Sequence, residues 1–250
     1  MKKLVVITGV SQGIGRALVD QFLSESFDVW GIGRREPVGL GEHGSNQYRH
    51  WSCDLSQVDT LAAWARTCFH EIPEIYEEIY FIHNAGTLQP MDLVGKYASE
   101  TLISHIHLNV TAVMILTNEW VRHWQSSPIR KRMLVVSSGA GKNPYLGWSA
   151  YCTGKSAVDM YVRVVAEEQK EREFPIEIVS FAPGIVDTAM QEQIRSTPKD
   201  QFPLLEKFVE LKEIGALALP HDVAPPIYTY LTSDVFENGQ VVDIRDLNIP

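Results

Sequence analysis

Cysteine is scarce in this chain. Three residues (Cys53, Cys68 and Cys152) in 250 are too few and too scattered for a disulfide framework, so a reducing cytoplasm is the expected compartment. Long apolar runs are missing too, and none approaches the ~20 residues that a bilayer requires. The opening Met-Lys-Lys followed by Leu4–Ile7 mimics a signal peptide only faintly, because its apolar part is short and runs straight into a glycine loop. Positive charge is the minority: 22 Lys and Arg against 31 Asp and Glu leave a formal net charge of −9. That balance argues against a nucleic-acid or anionic-membrane partner. The one basic run, Arg130–Lys131–Arg132, falls between a helix and a strand and reads as a solvated turn. The histidines show no metal-ligand spacing. His105 and His107, two apart, would point to different sides of a helix, which favours core or surface roles, and no metal is expected.

What is present alternates with regularity. Strand-like runs cover Lys3–Thr8, Phe27–Gly33, Tyr48–Cys53, Ile79–His83, Arg132–Ser137, Ile176–Phe181 and Gln240–Ile244. Between them lie helical patterns: one through about Ser26, then Val58–His70, a long one over Ser99–Gln125, one after Ser149, and a short one near Asp222–Thr232. Pro37–Ser45 is a glycine-containing loop, and residues 187–220 suit a mobile lid. With neither linker nor internal repeat, the expected fold is α/β: a single domain over 1–250 with one doubly wound, mostly parallel seven-stranded sheet.

The distinctive residues fall at the carboxyl ends of strands or in the helices after them, where such sheets bind ligands. Gly9, Gly13 and Gly15 link the first strand to a helix whose free N–H groups would face a pyrophosphate. Gly33-Arg34-Arg35 ends the second strand without an acid to hold a ribose hydroxyl, and two arginines suit the 2′-phosphate of NADP. Asp54 either accepts from an adenine amino group or caps the next helix. In Ser149-Ala150-Tyr151-Cys152-Thr153-Gly154-Lys155, Tyr151 and Lys155 share one face of a helix, and an ammonium beside a phenol lowers its pKa. Cys152 points off that face. Tyr145 and Trp148, between Ser138 and Tyr151, are read as pocket walls.

Together these motifs resemble the short-chain dehydrogenase/reductase family over nearly the whole chain. Gly9, Gly13 and Gly15 fit its TGxxxGxG loop, and His83-Asn84-Ala85-Gly86 fits its NNAG segment, with His83 for the first Asn and expected to pack at the strand end. The resemblance places a catalytic tetrad at Asn109, Ser138, Tyr151 and Lys155. It implies NADP(H) contacts from Gly9, Ser11, Gln12, Gly13, Ile14 and Gly15, from Arg34, Arg35, Asp54 and Leu55, and from Asn84, Ala85 and Gly86. Further contacts come from Tyr151, Lys155, Pro183, Gly184, Val186 and Thr188. It implies a homodimer formed by the long helix containing Asn109 and the helix after Tyr151. The segments SSGAGKNPYLGWSAYCTGK and FAPGIVDTAMQEQIRS resemble a carbonyl-reducing branch of the family. Walls from Ser138, Gly139, Ala140, Tyr145, Trp148, Tyr151, Val186, Met190 and Ile194 suit a flat, aryl-bearing diketone as the small-molecule substrate. Two other readings are a pterin reductase, which needs an acidic anchor (Asp187, Asp243 or Asp246), and an NADP-binding regulatory module without chemistry.

Overall fold

Runs such as Leu-Val-Val-Ile-Thr have no polar face to leave in water, so they form strands covered on both sides. The computed structural model describes residues 2–40 and 47–247. Of the expected loop Pro37–Ser45, residues 41–45 lie outside the described residues. The strands are β1 (Lys3–Thr8), β2 (Asp28–Gly33), β3 (Tyr48–Ser52), β4 (Glu78–His83), β5 (Arg130–Val136), β6 (Glu177–Ala182) and β7 (Val241–Asp243). They form one parallel sheet in the order β3-β2-β1-β4-β5-β6-β7, the doubly wound arrangement expected from the alternation.

Helices α1 (Gly13–Ser24) and α8 (Pro220–Thr232) pack together on one face of the sheet, around Val5, Ile7, Phe22 and Ile227. Helices α2 (Val58–His70), α4 (Ala112–Trp124) and α5 (Ser149–Gln169) cover the other, around Leu4, Phe69, Phe81, Trp120 and Val162. Helix α1 stops at Ser24, two residues early, because Ser26 takes a left-handed φ of 63° and the Phe27 N–H bonds back to the Phe22 carbonyl at 3.1 Å. The expected long helix over Ser99–Gln125 is interrupted. It is α3 (Ser99–Ile106), a π-helical turn (His107–Thr111) and then α4. Residues 187–220, expected to act as a lid, carry α6 (Ala189–Ser196) and α7 (Leu205–Glu213), and the Val186–Ala218 bridge joins the two ends of this stretch.

The basic run is no solvated turn. It belongs to β5, and Lys131 and Arg132 are buried. Arg132 is only 4% exposed, and its guanidinium is met by acceptors on several sides. Its Nε bonds Glu177 at 2.7 Å, and Nη1 bonds the carbonyls of Leu231 (3.0 Å) and Ser233 (2.6 Å) at the end of α8. The guanidinium also stacks 4.4 Å from the Phe236 ring centroid. Arg132→Ala should therefore destabilise the protein by about 2 kcal/mol, the partly exposed Glu177 keeping the loss below that of a fully buried pair. Melting should fall by about 4–8 °C; an unchanged melting curve would mean that the clamp contributes nothing.

Candidate active site

The site is assembled from the carboxyl ends of the strands. At β1, Thr8 is the hub: its Oγ1 accepts from the N–H groups of Asn84 (2.9 Å) and Ala85 (3.0 Å). Asn84 answers by donating to the Thr8 and Gly9 carbonyls at 3.0 and 3.1 Å, which locks the end of β4 against the glycine loop. The approach is too close for side chains. A Cβ on Gly9, whose φ is +74°, would lie 2.9 Å from the Ala85 Cα, and one on Gly15 would run into the Gly9 carbonyl. His83 packs at the strand end as expected, buried against Thr117 Oγ1 at 3.1 Å. Burial drops its pKa to about 3, so the ring stays neutral.

One cleft of about 580 Å³ runs across these strand ends. Ser11, Gln12, Gly13 and Ile14 line it at the start of α1, where Gln12 makes no side-chain cap and the first N–H groups of the helix point outward. Arg34, Arg35, Asp54 and Leu55 line the same end, with Ala85, Gly86, Pro183, Gly184 and Thr188 further along. A glycine cradle, a free helix terminus and two arginines fit a phosphate-bearing dinucleotide. Asp54 does not cap α2. Its Oδ1 accepts from Ser56 N–H and Oγ at 3.1 and 2.8 Å in a local turn, and the cap position falls to Gln57.

At the opposite end, Ser138, Gly139, Tyr151 and Lys155 meet Tyr145, Trp148, Val186, Met190 and Ile194. Trp148 serves as both wall and core: it stacks on Phe202 at 4.8 Å between centroids and is nearly buried while lining the cleft. Ala140 does not line this cleft. It turns into the neighbouring apolar cluster, and its N–H bonds Ser138 Oγ at 3.2 Å.

The π-turn delivers Asn109 to the loop after β4. Its Oδ1 accepts from the Thr87 N–H at 2.9 Å, and its Nδ2 donates to the Thr87 carbonyl (2.8 Å) and to His105 Nε2 (3.0 Å). His105, four residues back on the same side of the helix, bonds the Gln89 carbonyl through Nδ1 at 2.6 Å. It fills the core role expected of it and also stands in the cleft wall beside Thr87, Leu88 and Gln89. The i, i+4 spacing to Asn109 is the sequence signal for that second role. Phe208 on α7 and Gln191 on α6 also line the cleft; Gln191 falls within the FAPGIVDTAMQEQIRS segment without being singled out, and no motif marks Phe208.

The expected lowering of the phenol pKa does not hold in the protein alone. Burial pushes Tyr151 up to about 12, opposed by the Ser138 hydroxyl, while the Cys152 thiol adds to the rise. Burial also brings Lys155 down to about 8, opposed by Asp159. Lys155 Nζ is 5.5 Å from the Tyr151 ring centroid and donates to the Val136 carbonyl at 2.7 Å. For both groups desolvation is the largest cause, so at neutral pH the phenol carries its proton. None of the three acids offered as a pterin anchor is free in the cleft. Asp187 pairs with Lys212 and Arg195, Asp243 is held by Arg245, and Asp246 does not line the cleft.

A parallel sheet, a glycine cradle that fits a dinucleotide, and Ser138, Tyr151 and Lys155 in one cleft have the form of an α/β oxidoreductase site. The short chain dehydrogenase family matches residues 3–199. The benzil reductase ((S)-benzoin forming) of Bacillus cereus is 44% identical, covering 98% of this chain and all of its own length. The sepiapterin reductase of Mus musculus is 32% identical, covering 96% of each chain. The solved structure of ElxO with NADP bound superposes with a TM-score of 0.79 at 22% identity, covering 98% of this chain and 97% of that one. The protein belongs to the short-chain dehydrogenase/reductase family, and it is an oxidoreductase acting at the CH–OH/C=O level.

Proposed function

We propose that this enzyme is an NADPH-dependent carbonyl reductase that takes aromatic 1,2-diketones, reducing benzil to (S)-benzoin. The observation that carries the reading is the shared cleft: a protonated Tyr151 and an aromatic wall of Tyr145, Trp148 and Phe208 face the end opposite the glycine cradle. The benzil reductase relative supports the substrate class, and the NADP-bound neighbour supports the cofactor. NADPH, when bound, supplies the hydride. Tyr151 gives its proton to the carbonyl oxygen, and Ser138 hydrogen-bonds the developing oxyanion, a contribution of typically ~3 kcal/mol. Lys155 binds the nicotinamide ribose. Asn109 Oδ1 and Lys155 Nζ both lie close beside Gly86, and a water held between them would return the proton from solvent. The lid over 187–220 closes behind the substrate through Met190, Ile194 and Phe208.

The test compares cofactors with benzil as substrate. Arg34 and Arg35 line the cleft and no carboxylate stands at Ile32 or Gly33. A net preference of ~2.7 kcal/mol for the 2′-phosphate corresponds to about a hundredfold, so NADPH should exceed NADH by about that factor in kcat/KM. Replacing Arg34 and Arg35 by Ala should remove most of the gap, and salt should narrow it. Equal efficiency with both cofactors in the unmutated protein would overturn the cofactor reading, and no benzil turnover would overturn the substrate.

The reading includes a homodimer in a reducing cytoplasm, where Cys53, Cys68 and Cys152 stay free. Ile103 on α3, Met114 on α4, and Met160 and Val164 on α5 are large, apolar and exposed. Sedimentation at micromolar concentration should give a dimer, and Met160→Glu should shift it toward monomer; a wild-type monomer would refute the assembly.

A further inference from the structure

The two arginines read as cofactor-selecting stand on a short turn, and the turn is fastened at both ends. On the sheet side, the Gly33 carbonyl is bonded by the Cys53 N–H at 3.1 Å and by His50 Nε2 at 3.0 Å. On the helix side the fastener is Arg16, in the first turn of α1. Its Nη1 bonds the Val38 carbonyl and its Nη2 the Gly39 carbonyl at 3.4 Å. Asp20, one helical turn on, aims the guanidinium, meeting Nε at 3.2 and 3.1 Å and Nη2 at 3.0 Å. Between the fastened ends lie only Arg34, Arg35, Glu36 and Pro37, and Pro37 is buried with its φ fixed by the ring. Arg16 itself does not line the cleft.

We propose that Arg16 is a positioning residue for cofactor selection: held by Asp20, it clamps the carbonyls of Val38 and Gly39 and so preorganises Arg34 and Arg35 for the 2′-phosphate. The inference rests on the NADPH reading. A free turn would have to be ordered each time NADPH binds, and that ordering cost appears directly in affinity. NADH, which lacks the phosphate, does not use the turn. The clamp needs a fork of donors that a lysine does not have.

The experiment measures dissociation constants for NADPH and NADH by quenching of tryptophan fluorescence, with no carbonyl substrate present, for the wild type, Arg16→Ala, Arg16→Lys and Asp20→Asn. Circular dichroism melting confirms that each variant is folded. Both Arg16 variants should bind NADPH about tenfold more weakly and NADH within about twofold of wild type. Asp20→Asn should also weaken NADPH, although losing a negative charge near the site would by Coulomb's law tighten it. Wild-type affinity in Arg16→Lys would mean that only the charge matters, and tighter NADPH binding by Asp20→Asn would make Arg16 a direct phosphate ligand; either overturns the clamp alone. A wild type that binds both cofactors equally overturns the cofactor reading and the clamp with it.

Discussion

Tyr151→Phe should cut kcat for carbonyl reduction by about a thousandfold while the dissociation constant for NADPH changes less than about twofold. The substitution removes one oxygen and keeps the ring, which packs edge-on to Trp148 at 5.6 Å between centroids. Cofactor contacts and core packing are thus preserved, and only the proton donor is lost. The phenol, held at about 12 by burial, enters the reaction loaded in the direction of reduction. Single-turnover measurement at saturating NADPH separates the two quantities. Activity within tenfold of the wild type would show that the proton comes from elsewhere and that the tetrad assignment is wrong.

Lys155→Met should abolish efficient turnover and yet make the cofactor-free protein more stable at neutral pH. Bringing the ammonium from its ordinary 10.5 to about 8 costs about 3 kcal/mol. Losing the hydrogen bond to the Val136 carbonyl returns about 1 kcal/mol of that, leaving a net gain of about 2 kcal/mol. Proton binding sets the sign. Between about 8 and 10.5 the unfolded chain holds a proton that the folded chain has released, so wild-type stability rises with pH across that window. The advantage of the variant should be full below pH 8 and fade by pH 10.5. Urea unfolding at pH 7 and pH 10 checks it; a variant less stable than wild type at pH 7 would refute the cost of the buried ammonium. Stability given up at a reacting group is a common trade in enzymes.

Local pattern makes most of the fold readable. Lys3–Thr8 and Val58–His70 form as the periodicity predicts, because each draws its stability from a single apolar face or run that neighbouring residues alone define. Arg132 shows where that logic stops. A charged triplet is ordinarily a turn, but the carbonyls that hold this one come from Leu231 and Ser233, about a hundred residues further on. Resemblance points to Asn109 and the i, i+4 spacing to His105, while the partner Thr87 comes from tertiary contact. The phenol pKa escapes the sequence for a related reason, since spacing shows which groups are neighbours but not how much water each has lost. Ala140, expected as a wall, comes after a turn whose direction its neighbours in sequence do not reveal.

The π-turn between α3 and α4 restricts how the chain can vary. Each residue in a helix rotates the next by about 100°. Upstream of the turn, His105 must face the Gln89 carbonyl; within it, Asn109 must meet Thr87; downstream, Trp120 and Trp124 must enter the core against Phe69 and Phe81. The irregular turn reconciles these three headings. Inserting or deleting a single residue between 105 and 120 would rotate either the asparagine away from its loop or the tryptophans into solvent. Length in this stretch is therefore frozen even where residue identity is free, and drift along it must proceed by substitution.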